Sequence, residues 1–178
     1  MRQRKKGSKA KKKPLPIEIN ESEFTRIVKA TMKMHHKLAF LLGWGAGLRI
    51  SEIVHLQKAD FNFKEGTIRV NMGKNSKDRI TPIPKCFEEW HLKYIPIPCK
   101  QRALQKALVW YAGKSGVLED NPKAHFHSLR HGFATHCLRK NINIVEIQGH
   151  LGHEDLQTTA IYTNLAPVER IKHYQEKF

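Results

Sequence analysis

The spacing of hydrophobic positions changes along the chain and predicts where helices and strands lie. Apolar residues recur every three or four positions at 19–32, 35–47 and 48–56, which is typical of helices that bury one face. Asn20 or Ser22 is a suitable N-cap for the first of these helices. Further helical spacing is found at 100–112, 127–139, 143–150, 155–163 and 167–177. We therefore expect a mainly helical protein.

One stretch between these segments alternates apolar and polar residues instead. GTIRVNM (66–72) and DRITPIP (78–84) have the period of two that is typical of strands, and GKNSK (73–77) has the composition of a turn. We expect an antiparallel β-hairpin with lysines at its tip. A connector and then a helix are expected in 88–106. Helices with one small antiparallel sheet define an α+β fold.

The net charge of the chain narrows the class of partner. The 178 residues include 32 Lys and Arg against 16 Asp and Glu, a formal net charge of +16. Eight of these basic residues lie in the first 13 positions. Such an excess favours a polyanion, most often nucleic acid. We expect residues 1–16 to form a disordered basic arm and residues 17–178 to form one domain.

Other features of the sequence exclude several classes. The segment MRQRKKGSKAKKK has no apolar core, so it is not a secretory signal, and the longest apolar run, LAFLLGW, is too short to span a membrane. Cys86, Cys99 and Cys137 form no CxxC pair, which disfavours a disulfide framework or a zinc ribbon. We expect a cytoplasmic, DNA-associated protein without membrane contact.

The segment HSLRHGFATH (127–136) supports either a metal site or a phosphate site. His127 and His131 are four residues apart and can share a helix face, but a catalytic HExxH motif needs a glutamate inside it. The segment HSLRH contains no glutamate and supplies Arg130 instead. Residues 122–145 contain no carboxylate. A guanidinium instead matches the oxygens of a phosphodiester in a planar, two-pronged geometry. The phosphate interpretation is therefore favoured.

Five motifs occur in the order that is found in one known family. They are GLRISE, GKNSKDR, HSLRHGFATH, LGHEDLQTT and IYT. With these motifs the chain resembles the catalytic domain of the tyrosine recombinases (the phage-integrase, Xer-type family). The resemblance runs from about residue 47 to residue 164, which is most of the globular chain. It implies the tyrosine recombinase catalytic fold for residues 17–178.

The resemblance also implies a role for each of six residues. Tyr162 would attack the scissile phosphate and form a 3′-phosphotyrosine, while Lys74 would protonate the leaving 5′-oxygen. Arg49 and Arg130 would bind the non-bridging oxygens. His127 would donate a hydrogen bond to the phosphate, and His153 would stabilise the transition state. This chemistry requires neither a metal nor another cofactor, because the two arginines supply the charge stabilisation.

Simpler interpretations of single residues remain open. Arg49 can form an ordinary helix ion pair with Glu52, and His153 can simply interact with a helix C-terminus. Lys77 is a rival for the acid, and Tyr174 is a rival for the nucleophile. Two further histidines are not expected to be catalytic: His131 would face DNA or solvent, and His136 would pack or cap within its helix.

The family resemblance implies partners as well. Double-stranded DNA is the expected ligand, and residues 165–178 resemble the helix that packs onto a neighbouring protomer, which predicts a homotetramer on DNA. The N-terminal DNA-clamping domain of the family is expected to be absent, so that a partner supplies it or the chain is an excised or naturally short catalytic domain. Two other functions remain: a noncatalytic DNA-binding module with this fold, and a basic RNA-associated protein.

Overall fold

The computed structural model describes residues 16–71 and 78–152, in which one helix lies at the centre of the core. This helix, α2 (Met34–Gly45), buries every residue from Leu38 to Gly43 and is apolar on all sides, as a central helix must be. It packs against four other helices and one 3-10 helix. The remaining helices are α1 (Glu21–Ala30), α3 (Ile50–His55), α4 (Gln101–Lys114), α5 (Val117–Asp120), α6 (Phe126–Arg139) and α7 (Ile144–Leu151).

The start of α1 shows how the sequence fixes a helix boundary. The side chain of Asn20 accepts a hydrogen bond from the Glu23 backbone N–H at 3.0 Å, and the Glu23 carboxylate accepts one from the Asn20 N–H at 2.8 Å. This reciprocal capping box satisfies two backbone donors that a helix start leaves without partners. Of the two N-caps predicted for α1, Asn20 is the correct one.

The three strands form a small antiparallel sheet of order β1-β2-β3. They are β1 (Phe61–Asn62), β2 (Thr67–Val70) and β3 (Arg79–Pro82). In β2, Ile68 and Val70 are buried, as the alternation predicted, and Ile68 pairs with Thr81 of β3. The strands of the predicted hairpin are thereby confirmed, while residues 72–77 at its tip lie outside the described part of the chain.

Several short elements were not predicted. They are β1, α5 and the 3-10 helices Lys58–Asp60 and Glu89–Tyr94. Helix α4 also continues through Gly113, where the prediction ended it, and α3 ends one residue before Leu56. The helices predicted at 155–163 and 167–177 lie outside the described residues.

Two apolar clusters hold these elements together. The larger cluster surrounds α2, and a smaller one joins α6 to α7 through Phe133, Ala134, Cys137, Ile147 and Leu151. Within the described residues, no helix is long and apolar enough to cross a membrane. The predicted α+β class, mainly helical with one small antiparallel sheet, is confirmed.

Candidate active site

A tight turn between α2 and α3 positions Arg49. Gly47 in this turn has φ of +65°, and a Cβ atom there would lie 2.6 Å from Cδ1 of Phe133, so only glycine fits. Arg49 follows as the N-cap of α3, and its backbone N–H donates to the Glu52 carboxylate at 2.7 Å. The Arg49 guanidinium donates to the same carboxylate at 2.8 Å. The glutamate at N3 therefore fixes both the helix start and the arginine side chain.

Arg130 reaches the same turn from α6. Its side chain is 1% exposed, and its Nη1 donates to the backbone carbonyl of Gly47 at 2.7 Å. Its Nη2 donates to the carbonyl of Leu151 at 2.5 Å. Burial of a guanidinium is costly unless hydrogen bonds satisfy it. These two carbonyls account for the stability of the buried charge and fix Arg130 beside the turn that carries Arg49.

Three arginines from different elements converge on the C-terminal end of α7. Arg79 donates to the His150 carbonyl at 2.7 Å, Arg130 donates to that of Leu151, and Arg49 donates to that of Gly152 at 3.5 Å. The last carbonyls of a helix have no partner within the helix, and they carry partial negative charge. The three guanidinium groups donate hydrogen bonds to these carbonyls and offset their partial negative charge. They fix the backbone immediately before His153.

Arg79 is held by a second set of contacts. Its Nη1 and Nη2 donate to the two carboxylate oxygens of Glu52, at 2.9 and 2.8 Å, and both side chains are 7% exposed. Glu52 thus accepts from Arg49 on α3 and from Arg79 on β3. Burial raises the pKa of Glu52, but hydrogen bonds and charge from Arg79 and Arg49 outweigh this effect and lower its pKa overall.

A cleft of about 220 Å³ opens beside these arginines. It is lined by Leu48, Arg49, Ile50, Ser51, Gln105, His125, Phe126 and His127. Arg49 and His127, which the sequence analysis assigned to one site, therefore share one cleft. Arg130 lies one helical turn beyond His127 on α6, is buried, and does not line the cleft.

Of the two histidines that line the cleft, His127 has surroundings that favour its neutral form near pH 7. Loss of solvent around the imidazole lowers the pKa of His127, and the positive charges of Arg130, His125 and Arg49 lower it further. A neutral imidazole has one N–H, which can donate to a phosphate oxygen. His131 stands one turn further, with its ring 4.6 Å from that of His127 in a T-shaped contact.

The remaining histidine of the motif packs as predicted. The ring of His136 lies 4.8 Å from that of Trp44, and its Nδ1 is 3.6 Å from the carboxylate of Glu21. Its position is therefore explained by packing between α6, α2 and α1.

Three of the six predicted catalytic residues fall outside the described part of the chain. They are Lys74, His153 and Tyr162. Their rivals Lys77 and Tyr174 lie outside it too. The described residues bring together Arg49, His127 and Arg130. The alternative interpretation of Arg49 is also correct as far as it goes, because Arg49 does pair with Glu52.

Arg79 is a residue of this site that sequence reasoning missed. The pattern of β3 offered one clue: Arg79 and Thr81 point to one side of the strand, and both are buried. A buried arginine requires an acidic or carbonyl partner. The identity of that partner, Glu52 on α3, depends on how the sheet packs and could not be derived from local spacing.

Comparisons with known proteins identify the family of this chain. The model of the phage integrase family matches residues 18–97 and 96–169. Tyrosine recombinase XerA of Thermococcus onnurineus is 36% identical over 93% of this chain and 64% of its own length. XerA of Pyrococcus horikoshii is 38% identical over 92% of this chain and 61% of its own length. The chain belongs to the phage integrase family, and it spans somewhat less than two thirds of the length of these relatives.

Solved structures show the same fold. The crystal structure of XerA recombinase matches with a TM-score of 0.73 and 25% identity, over 92% of this chain and 66% of that one. XerH site-specific recombinase, bound to a palindromic difH substrate, matches with a TM-score of 0.70 and 23% identity, over 91% and 53%. The family resemblance inferred from the five motifs is thereby confirmed.

Proposed function

We propose that this chain is the catalytic part of a site-specific DNA recombinase or integrase. The observation that carries the proposal is the convergence of Arg49, His127 and Arg130 around one turn and one cleft. These residues are far apart in the chain, and together they supply two guanidinium groups and a neutral N–H donor. That set matches the charge which develops on the non-bridging oxygens of a phosphodiester under attack.

The proposed reaction is a transesterification. The hydroxyl of Tyr162 gives its proton to a neighbouring base, its oxygen bonds to the scissile phosphorus, and the bond from phosphorus to the 5′-oxygen breaks. Lys74 gives a proton to that 5′-oxygen, which leaves a 3′-phosphotyrosine and a free 5′-hydroxyl. A 5′-hydroxyl from a second strand then attacks the phosphotyrosine and restores both the tyrosine and a phosphodiester. One phosphodiester replaces another, so no ATP is needed, and the sequence contains no GxxxxGK[ST] loop.

The proposed roles follow from the chemistry of each group. A free tyrosine has a pKa near ~10, so it needs positive surroundings or a base to react near neutral pH. Arg49 and Arg130 provide positive surroundings, and His127 and His153 donate to the phosphate. In this proposal Arg130 acts from its buried position as a source of positive charge near the phosphate and as the anchor of the turn that presents Arg49.

The proposed ligand is double-stranded DNA in the cytoplasm. The net charge of +16 supports a polyanion, and XerH is a relative whose structure was solved on its DNA substrate. We propose further that four copies assemble on DNA by exchange of the segment 165–178. The basic segment 1–16 would add phosphate contacts, so binding should weaken steeply with salt.

A strand-exchange assay separates this function from its two alternatives. Two labelled duplexes, each carrying a DNA sequence that the chain binds, are incubated with the chain. Recombinant strands are then resolved on a denaturing gel. A recombinase yields joined strands, and Arg49→Gln lowers their yield by about 10²–10³. A noncatalytic DNA-binding module yields none although it binds the duplex. An RNA-associated protein prefers RNA of equal length in competition at the same salt concentration.

A further inference from the structure

Three potential metal ligands lie together at the N-terminal end of α2, remote from the turn that carries Arg49. His35 and His36 are in the first turn of α2, and Cys99 lies in the segment just before α4. One ligand atom from each residue lies within 4.8 Å of the other two. Among residues 16–71 and 78–152, no other group of three or more histidine, cysteine or acidic side chains has its ligand atoms this close together.

The distance from His36 to Cys99 fits a tetrahedral zinc site, and the ligand atom of His35 lies within 4.8 Å of both. Nε2 of His36 lies 3.7 Å from Sγ of Cys99. Zinc bonds of ~2.3 Å to sulfur and ~2.0–2.1 Å to nitrogen, at a tetrahedral angle, separate the two ligand atoms by about 3.6 Å. A hydrogen bond between imidazole and thiol spans the same distance, so the two side chains are already spaced as a shared zinc ion requires.

The ring of His36 is already oriented for this role. It packs in a T-shaped contact with Tyr111 at 6.0 Å and is stacked on Phe40 at 6.3 Å. Its Nδ1 is buried and has no hydrogen-bond partner, so Nε2 is the nitrogen that is directed toward Cys99. The ring of His35 lies 4.5 Å from that of His36. Aromatic packing therefore holds the imidazole in position without a metal.

The ligand types, rather than the electrostatic surroundings, set the type of ion. The charge of Lys33 and the positive end of α2 oppose a cation at this position. A thiolate from Cys99 offsets one of the two charges of a zinc ion. One soft sulfur and two imidazoles suit zinc, whereas magnesium and calcium prefer oxygen ligands.

We propose that His35, His36 and Cys99 bind one zinc ion, with water in the fourth position. The ion would join the start of α2 to the segment before α4. The 12 residues of α2 separate this site from the turn that carries Arg49 by roughly 18 Å along the helix axis. The zinc ion would therefore lie outside the proposed strand-transfer site and be independent of it.

Binding of zinc and of its spectroscopic substitute cobalt to the chelator-treated chain tests this proposal. Calorimetry should show one zinc ion per chain, and cobalt should give a sulfur-to-metal charge-transfer band. Cys99→Ser should abolish the band and weaken zinc binding by about tenfold or more, because loss of an outer-shell partner alone costs ~10–100-fold. His36→Ala should weaken binding to a similar extent. Zinc should raise the Tm of the unmodified chain.

Cys86→Ser is the matched control, because Cys86 is an exposed free thiol outside the cluster. It should keep both the stoichiometry and the band. Metal-free Cys99→Ser should unfold at the temperature of the metal-free unmodified chain, which shows that it folds. The proposal is overturned if the unmodified chain binds zinc no more tightly than folded Cys99→Ser does, or if Cys86→Ser abolishes the cobalt band.

Discussion

The guanidinium of Arg79 donates two hydrogen bonds to the carboxylate of Glu52, at 2.9 and 2.8 Å, with both side chains almost completely buried. This pair joins β3 to α3. Since Glu52 also holds Arg49, and Arg79 also holds the end of α7, the pair connects the base of the hairpin to the proposed phosphate site. Arg79 is thus a positioning residue, which acts on the site through Glu52 and through the His150 carbonyl.

Arg79→Met should strongly destabilise the fold. Removal of one partner leaves the Glu52 charge buried with only Arg49 to offset it, which typically costs about 3–5 kcal/mol. Urea denaturation monitored by circular dichroism measures the change. Arg69→Met is the control on the same hairpin, because its ion pair with Asp78 is exposed, and it should leave the unfolding midpoint unchanged. Equal midpoints for the two variants would contradict the account of Arg79.

The lowered pKa of Glu52 predicts a pH dependence of stability. The unfolded chain protonates this carboxyl near its ordinary value of 4.5, whereas the folded protein keeps it ionised to lower pH. Its contribution is therefore complete above pH 4.5 and is lost as the pH falls through the folded pKa. The difference in unfolding free energy between the unmodified chain and Glu52→Gln should shrink across this acidic range. A difference that is constant with pH would show that the charge of Glu52 does not contribute.

Lysine substitutions should distinguish Arg49 from Arg130 by their effects on stability. Arg130→Lys loses at least one of two buried carbonyl contacts, so it should cost about 1–3 kcal/mol of stability in addition to activity. Arg49 has a side chain that is 32% exposed, and Arg49→Lys should cost under about 1 kcal/mol. Both variants should lower strand cleavage by about 10²–10³. Equal stability of the two variants would show that the Arg130 contacts do not support the fold.

The titration of His127 should be displaced toward acid. Desolvation, followed by the charges of Arg130, His125 and Arg49, lowers its pKa below the ordinary 6.5. NMR titration of the DNA-free chain should give a midpoint below 6.5 for the resonance that disappears in His127→Gln. Because the unfolded chain protonates first, His127 leaves stability unaffected above pH 6.5 and reduces it as the pH falls toward the folded pKa. A midpoint at or above 6.5 would contradict the electrostatics described here.

Hydrophobic spacing predicted the long elements because each buries one face or, in α2, all of them. It located α1, α2, α4, α6 and α7 to within a few residues, together with the paired strands β2 and β3. It missed β1, because two residues are too few to show a period. It missed α5, which is four residues long and begins after Gly116 in a left-handed conformation.

The site was predictable only in part. Arg130 and Gly47 are 83 residues apart in the chain, and no local pattern predicts their hydrogen bond. Ordered motifs identified Arg49, His127 and Arg130 because they resemble a known family. Burial of Arg130 and the role of Arg79 depend on tertiary packing, which brings three guanidinium groups to the end of one helix.

Covalent trapping tests the central claim most directly. The chain is incubated in the presence of a chelator with a duplex that contains a DNA sequence it binds. The duplex is nicked near that sequence so that the cleaved end diffuses away. Denaturing electrophoresis then detects any covalent protein–DNA adduct. The account predicts an adduct for the unmodified chain and for Tyr174→Phe, and none for Tyr162→Phe. An adduct that persists in Tyr162→Phe, or a bound site that never yields one, would contradict the proposal that Tyr162 of this chain is the nucleophile.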